Sequence, residues 1–142
     1  MIDNLNDFHF YVGQTIMHCQ TIEHDIKLIF AGMKAGDMDQ TLNIIEKNRM
    51  TLGEVLKNLK DLDRSDDNHF FSDSDYQLLS DITKVRNYWA HKGYSDFVYS
   101  RDKKDFFAQA KKLESDYSRL SRLSKMIEKI RLDALKHYKR IK

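Results

Sequence analysis

Two long stretches of this chain repeat apolar residues at steps of three and four, and no other feature limits the fold as much. The first runs Leu5, Phe8, Val12, Ile16, Cys19, Ile22, Ile26, Phe30 and Met33. The second begins after Asp102 and runs Phe106, Ala110, Leu113, Tyr117, Leu120, Leu123, Ile127, Ile130, Ala134 and Tyr138. Such spacing keeps one face of an α-helix apolar. Pro is absent and Gly numbers only 5, so the usual breakers of helix interiors are missing. At ~1.5 Å per residue the helices would span roughly 40 Å and 55 Å. The second is longer than a compact bundle of this size requires. Either it bends around Ser118, Ser121 and Ser124, or its end packs on another subunit.

Shorter patterns fill the middle. Gly32 and Gly36 lie near the end of the first helix, and Asp37 or Asp39 is placed to cap a short helix over 39–48. Thr51 and Glu54 have capping-box spacing ahead of Leu52, Val55, Leu56 and Leu59. Gly53 either admits a neighbouring helix or is incidental. Residues 61–75 crowd aspartates with Ser and Asn and read as a solvated loop, since the turn glycine and closing Glu of a calcium loop are missing. Ser72, with Asp75 three residues on, caps a central helix carrying Leu78, Ile82, Val85 and Trp89. Gly93 is placed to end it in a left-handed cap. The expected fold is all-α: an up-and-down bundle of four to five helices with long first and last members, one domain over 1–142.

Several function classes fall away. A net charge of +2 gives no overall argument for nucleic acid, so any such argument rests on local patches. No run approaches the ~18 apolar residues of a membrane span, and the first residues lack a basic region followed by an apolar run. Cys19 has no disulfide partner within the chain and fits a reducing compartment. The expectation is a soluble, cytoplasmic protein without membrane association. No phosphate-cradling glycine loop or nucleophile elbow occurs. His18, Cys19, Glu23 and His24 lack zinc-type spacing. Neither a metal nor another cofactor is expected.

The end of the central helix holds the chemistry: Arg86-Asn87-Tyr88-Trp89-Ala90-His91. An Arg is always charged, and its fork suits a phosphate. A His near its reference pKa exchanges a proton at neutral pH. Residues five apart on an ideal helix point about 140° away from each other, at ~100° per residue. Arg86 and His91 therefore converge most easily if the helix loosens at His91 or if a second chain completes the site. Similar spacings recur at Arg64–His69, in the acidic loop, and at Arg131–His137, on the basic terminal helix with its Lys125, Lys129, Lys136, Lys139, Arg140 and Lys142. Only Arg86–His91 combines an adjacent Asn, an aromatic interior and a central amphipathic helix. Trp89 continues the apolar stripe and reads as core.

The segment Arg86-Asn87-x-x-x-His91, closing a core helix of an all-α chain of this length, resembles the signature of the HEPN superfamily, the higher eukaryotes and prokaryotes nucleotide-binding domain. That resemblance implies a helical bundle, often dimeric, and a metal-independent endoribonuclease acting as a toxin or in antiviral defence. It implies catalytic roles for Arg86, Asn87 and His91, with the two motifs of a homodimer meeting across a cleft. RNA is the implied substrate, with Tyr88, Lys92 and Tyr94 as candidate RNA contacts. An antitoxin protein, of the nucleotidyltransferase type or another, is an implied partner. In the toxin branch paired with a nucleotidyltransferase, a Tyr stands two residues after the His; here Tyr94 stands three after it. The alternative is a non-catalytic helical module of the same fold that binds or regulates a partner.

Overall fold

The structure, a computed structural model, describes residues 2–34, 38–65, 67 and 69–141, with side chains described as far as Ala134. The chain forms α1 (Leu5–Met33), α2 (Met38–Lys47), α3 (Leu52–Asp63), α4 (Asp73–Ser80), α5 (Ile82–His91) and α6 (Lys103–Ile141). Among the described residues there is no strand. The all-α bundle with long first and last helices is therefore what forms. No described helix is long and apolar enough to cross a membrane.

The expected central helix is two. Ser80 donates its hydroxyl to the Gln77 carbonyl at 2.7 Å, and the Asp81 amide bonds Leu78 in a tightened last turn. A serine bonding back to its own helix competes with continued α-helical bonding, and the break falls at Asp81. Counting α4 and α5 as one gives five helices, within the expected four to five. The start of α4 is as expected: Ser72 and Asp75 form a complete reciprocal capping box. At α3, Thr51 accepts from the Glu54 amide at 3.2 Å. A Cβ at Gly53 would meet only the Thr51 hydroxyl, at 3.8 Å, so among the described residues no other helix packs against it. Of the two expected caps for α2, Asp39 lies in its first turn, while Asp37, like Gly36, lies outside the described residues.

Contacts gather in two compact units. The first holds Met1–Thr21 and Ile82–Ser124. Its core joins Phe8 and Val12 of α1 to Trp89 of α5, Phe97 of the following turns, and Ala110 and Leu113 of α6. Phe8 is central: its ring meets those of Trp89, Tyr94 and Phe97 edge-on, with centroids 6.1, 5.4 and 4.9 Å away. Such geometries add to area burial. Leu5, expected on the buried stripe, is exposed. Thr15 is buried instead, and its hydroxyl has no hydrogen-bond partner.

The second unit holds Ile22–Asp81 and Lys125–Lys142. Its buried apolar residues include Ile26, Ile29, Ile45, Val55, Leu59, Phe71, Leu79 and Ile127. Asp63, expected in the solvated loop, is the last residue of α3 and only 2% exposed. Its carboxylate accepts from the amides of Phe70 (2.8 Å) and Phe71 (3.2 Å) and from the Tyr76 hydroxyl (2.6 Å). Burial and this bond push the Tyr76 phenol above its ordinary pKa. Beside it, Arg64 contacts His69 Nδ1 at 2.7 Å and donates to the Phe71 carbonyl (3.1 Å) and Asp73 (2.8 Å). A loop with no helix of its own is thus stapled to the end of α3. Arg131 pairs with Asp25 at 3.2 Å, while burial outweighs the Arg131 attraction and raises the Asp25 pKa. The side chains of Lys136, His137, Lys139, Arg140 and Lys142 lie outside the described residues.

Two substitutions test these packing arguments by thermal and urea unfolding. Thr15→Val removes an unsatisfied buried hydroxyl while keeping its shape, and should stabilise the protein by about 1 kcal/mol. Asp63→Ala strands two amides and a phenol and should cost about 3 kcal/mol or more. An unchanged midpoint for Asp63→Ala would mean that the loop is not held by this carboxylate.

Candidate functional site

The end of α5 is set by Trp89. The ring is 1% exposed, and its indole nitrogen donates to Asp116 on α6 at 2.9 Å. Asp116 also receives Arg119 at 2.6 Å. A buried indole N–H needs such an acceptor. Trp89 is therefore core, as its place on the stripe predicts. The helix stays regular through His91, with the Lys92 amide bonding the Tyr88 carbonyl at 2.8 Å and the Gly93 amide reaching the same oxygen at 2.9 Å.

Gly93 does not take the expected left-handed conformation: Arg49 alone among described non-glycine residues has positive φ, and Gly93 itself lies outside that region. Its reason is contact. A Cβ there would come within 2.5 Å of Trp89 Cε3. The chain then runs through turns over 92–99 that bury Phe97.

The candidate residues divide around this axis. Asn87 and His91 are both exposed and, four residues apart, are neighbours on one helix face. Arg86 is half-buried and makes an interaction within the chain. Because the helix does not loosen at His91, Arg86 and His91 point about 140° apart. One chain brings Asn87 and His91 together and leaves Arg86 on another flank.

Tyr88 is half-buried. Its hydroxyl accepts from Gln109 at 2.6 Å and donates to Asp96 at 2.5 Å, and Lys112 Nζ sits 3.6 Å from its ring centroid. Gln109 also donates to the Gly93 carbonyl at 2.9 Å. Tyr94 shares a 2.6 Å hydrogen bond with His9 Nδ1, and burial raises its phenol pKa. Lys92 is exposed. Gln109, Asp116 and His9 join the site although no motif marks them. Gln109 and Asp116 interrupt an otherwise apolar face of α6 and were legible as inward polar residues; nothing in the sequence pairs His9 with Tyr94.

Among the described residues, no cluster of three or more His, Cys, Asp or Glu side chains is placed to hold a metal ion. Cys19 is fully buried. No family model, curated protein or solved structure matches the chain.

Gly93→Ala should therefore lose about 1–3 kcal/mol through overpacking against a ring that cannot move aside. Gly13→Ala, in α1 with open space around it, should gain up to about 1 kcal/mol from helix propensity. Equal effects in urea titrations of the two variants would remove the contact explanation for Gly93.

Proposed function

We propose that the protein is an endoribonuclease of HEPN type that needs no metal ion and acts as a homodimer. The observation that carries this is the exposed pair Asn87–His91 at the end of a helix anchored by Trp89, with Arg86 one residue before it. In this reading the 2′-hydroxyl of the RNA attacks the neighbouring phosphorus, and His91 takes its proton as general base. The bond from phosphorus to the 5′-oxygen breaks, and the equivalent His of a second copy supplies the proton to that leaving oxygen. The products are a 2′,3′-cyclic phosphate and a 5′-hydroxyl. Arg86 holds the phosphate and stabilises its developing charge. Asn87, beside His91 on the helix, orients the imidazole or the ribose.

The ~140° divergence within one chain favours a dimer, because a second copy can present its Arg86 to the first copy's His91. Tyr88, Lys92 and Tyr94 flank the pair as RNA contacts. A toxin or phage-defence role, with an antitoxin partner, follows from the same resemblance. The second reading, a non-catalytic module that binds or regulates a partner, draws on Arg86 being half-buried and engaged within the chain.

Incubating purified protein with total RNA in EDTA separates the two. The expected outcome is cleavage leaving cyclic-phosphate ends, reduced at least about 10²-fold in His91→Ala and strongly in Arg86→Ala. Both variants must keep the wild-type circular dichroism and oligomeric state. No cleavage, or equal cleavage by all three proteins, would leave the partner-binding module as the better reading.

A further inference from the structure

The first half of α6 segregates its charges. At ~100° per residue, Lys104, Lys111 and Arg122 fall within about 20° of one line along the helix, and all three are exposed. Ser115 and Ser118 lie between them, also exposed, and Phe107, 50% exposed, sits beside Lys104 and Lys111. No carboxylate occupies this stripe. Asp105, Glu114 and Asp116 are turned at least about 60° away from it, and each is spent on a bond inside the unit. Asp105 accepts from Ser100, Glu114 from the Ile2 amide (2.6 Å), and Asp116 from Trp89 and Arg119. Surface helices ordinarily set acids three or four residues from their lysines. Of those positions within α6 only one holds an acid, Glu114, three residues after Lys111, and the Ile2 amide takes its carboxylate. Lys104, Lys111 and Arg122 form no ion pair among the described residues.

From this we infer that the outer face of α6, Lys104–Phe107–Lys111–Arg122, is the track on which a single strand of RNA lies as it enters the site. The inference deepens the ribonuclease reading and rests on it for the identity of the polyanion. The face extends about 27 Å at ~1.5 Å per residue, a length suited to several nucleotides. Cations spaced along a line follow a phosphate backbone. An exposed aromatic between them offers a stacking surface for a base, the combination that single strands use.

An anionic membrane is the poorer occupant. Insertion requires a broad apolar face on the side that meets the lipid, and that side of α6 offers only Phe107 and Ala108, while Ala110, Leu113 and Leu120 are buried on the other side. Lys112, exposed and about 80° round α6 from Lys104, sets its ammonium 3.6 Å from the Tyr88 ring centroid. The exposed end of α5 is therefore reached from the track by way of Lys112, while Gln109, about 140° round, ties Tyr88 from the buried side.

The test uses a fluorescent single-stranded RNA with 2′-O-methyl riboses, which cannot supply the attacking hydroxyl, so binding is read without cleavage. Anisotropy titrations at several salt concentrations compare three proteins. One is wild type, and one is Lys104→Gln with Lys111→Gln and Arg122→Gln. The third is a charge-matched control, Lys47→Gln with Arg49→Gln and Lys57→Gln, in the other unit. The expected result is binding by wild type and control, with the track variant at least tenfold weaker. The log–log salt slope of the track variant should fall by roughly 2, at ~0.7 per lost phosphate contact on a single strand.

Equal weakening in both triple variants would overturn the track, leaving only bulk charge. Binding to vesicles containing anionic lipid without binding to RNA would overturn the choice of occupant, and binding to neither would overturn the surface altogether. Cleavage of unmodified RNA is scored separately. Track-dependent binding without cleavage leaves the track standing and removes the ribonuclease reading. Cleavage with unchanged KM in the track variant does the reverse.

Discussion

The buried hydrogen bond from the Trp89 indole to Asp116 ties α5 to α6 within the first unit. A buried indole without an acceptor would cost about 1–3 kcal/mol, so α5 and α6 are held in one register at this point. The ring then dictates its surroundings. Phe8 meets it edge-on, and residue 93 must be Gly because a Cβ would strike the ring. The closely packed turn after His91 follows from that contact, with Gln109 tying the Gly93 carbonyl back to α6. The exposed position of Asn87 and His91 is thus a consequence of how deeply Trp89 is buried two residues from each.

What the sequence makes legible is whatever depends on local periodicity and caps. The steps of three and four identify both long helices, and the Ser72–Asp75 spacing locates a capping box that forms in full. The interruption at Asp81 is not legible, because Leu78, Ile82 and Val85 keep the same period across it while a serine hydroxyl decides the local bonding. Asp63 is misread for a related reason. An aspartate among aspartates looks solvated, and only the folded loop reveals three donors converging on it. Long-range pairings such as His9 with Tyr94, or Ile2 with Glu114, leave no trace in spacing at all.

The Arg-to-His spacings show how far a short pattern reaches. Arg64 and His69, which no helix holds, are in contact because Asp73 and the Phe71 carbonyl position the guanidinium. Arg donates and cannot accept, so this contact uses His69 as an acceptor and serves the loop. Arg86 and His91, which a regular helix holds, diverge for that very reason. Contact within the chain therefore marks the structural pair, and divergence on an exposed helix end is what a site completed by a second copy requires.

The charge arrangement joins these strands. A net charge of +2 says little, because it averages over groups in different surroundings. In the first half of α6 Asp116 and Glu114 turn inward to the Trp89 indole and the Ile2 amide, and the exposed Asp105 is engaged by the Ser100 hydroxyl. The cations are left outside, and the acid spaced to meet one of them, Glu114 three residues after Lys111, is taken by the Ile2 amide. Satisfying buried donors with acids is a folding requirement, yet it leaves a positive field on the opposite face. The bond that anchors α5 beneath the candidate site thus also withdraws a negative charge from the surface beside it.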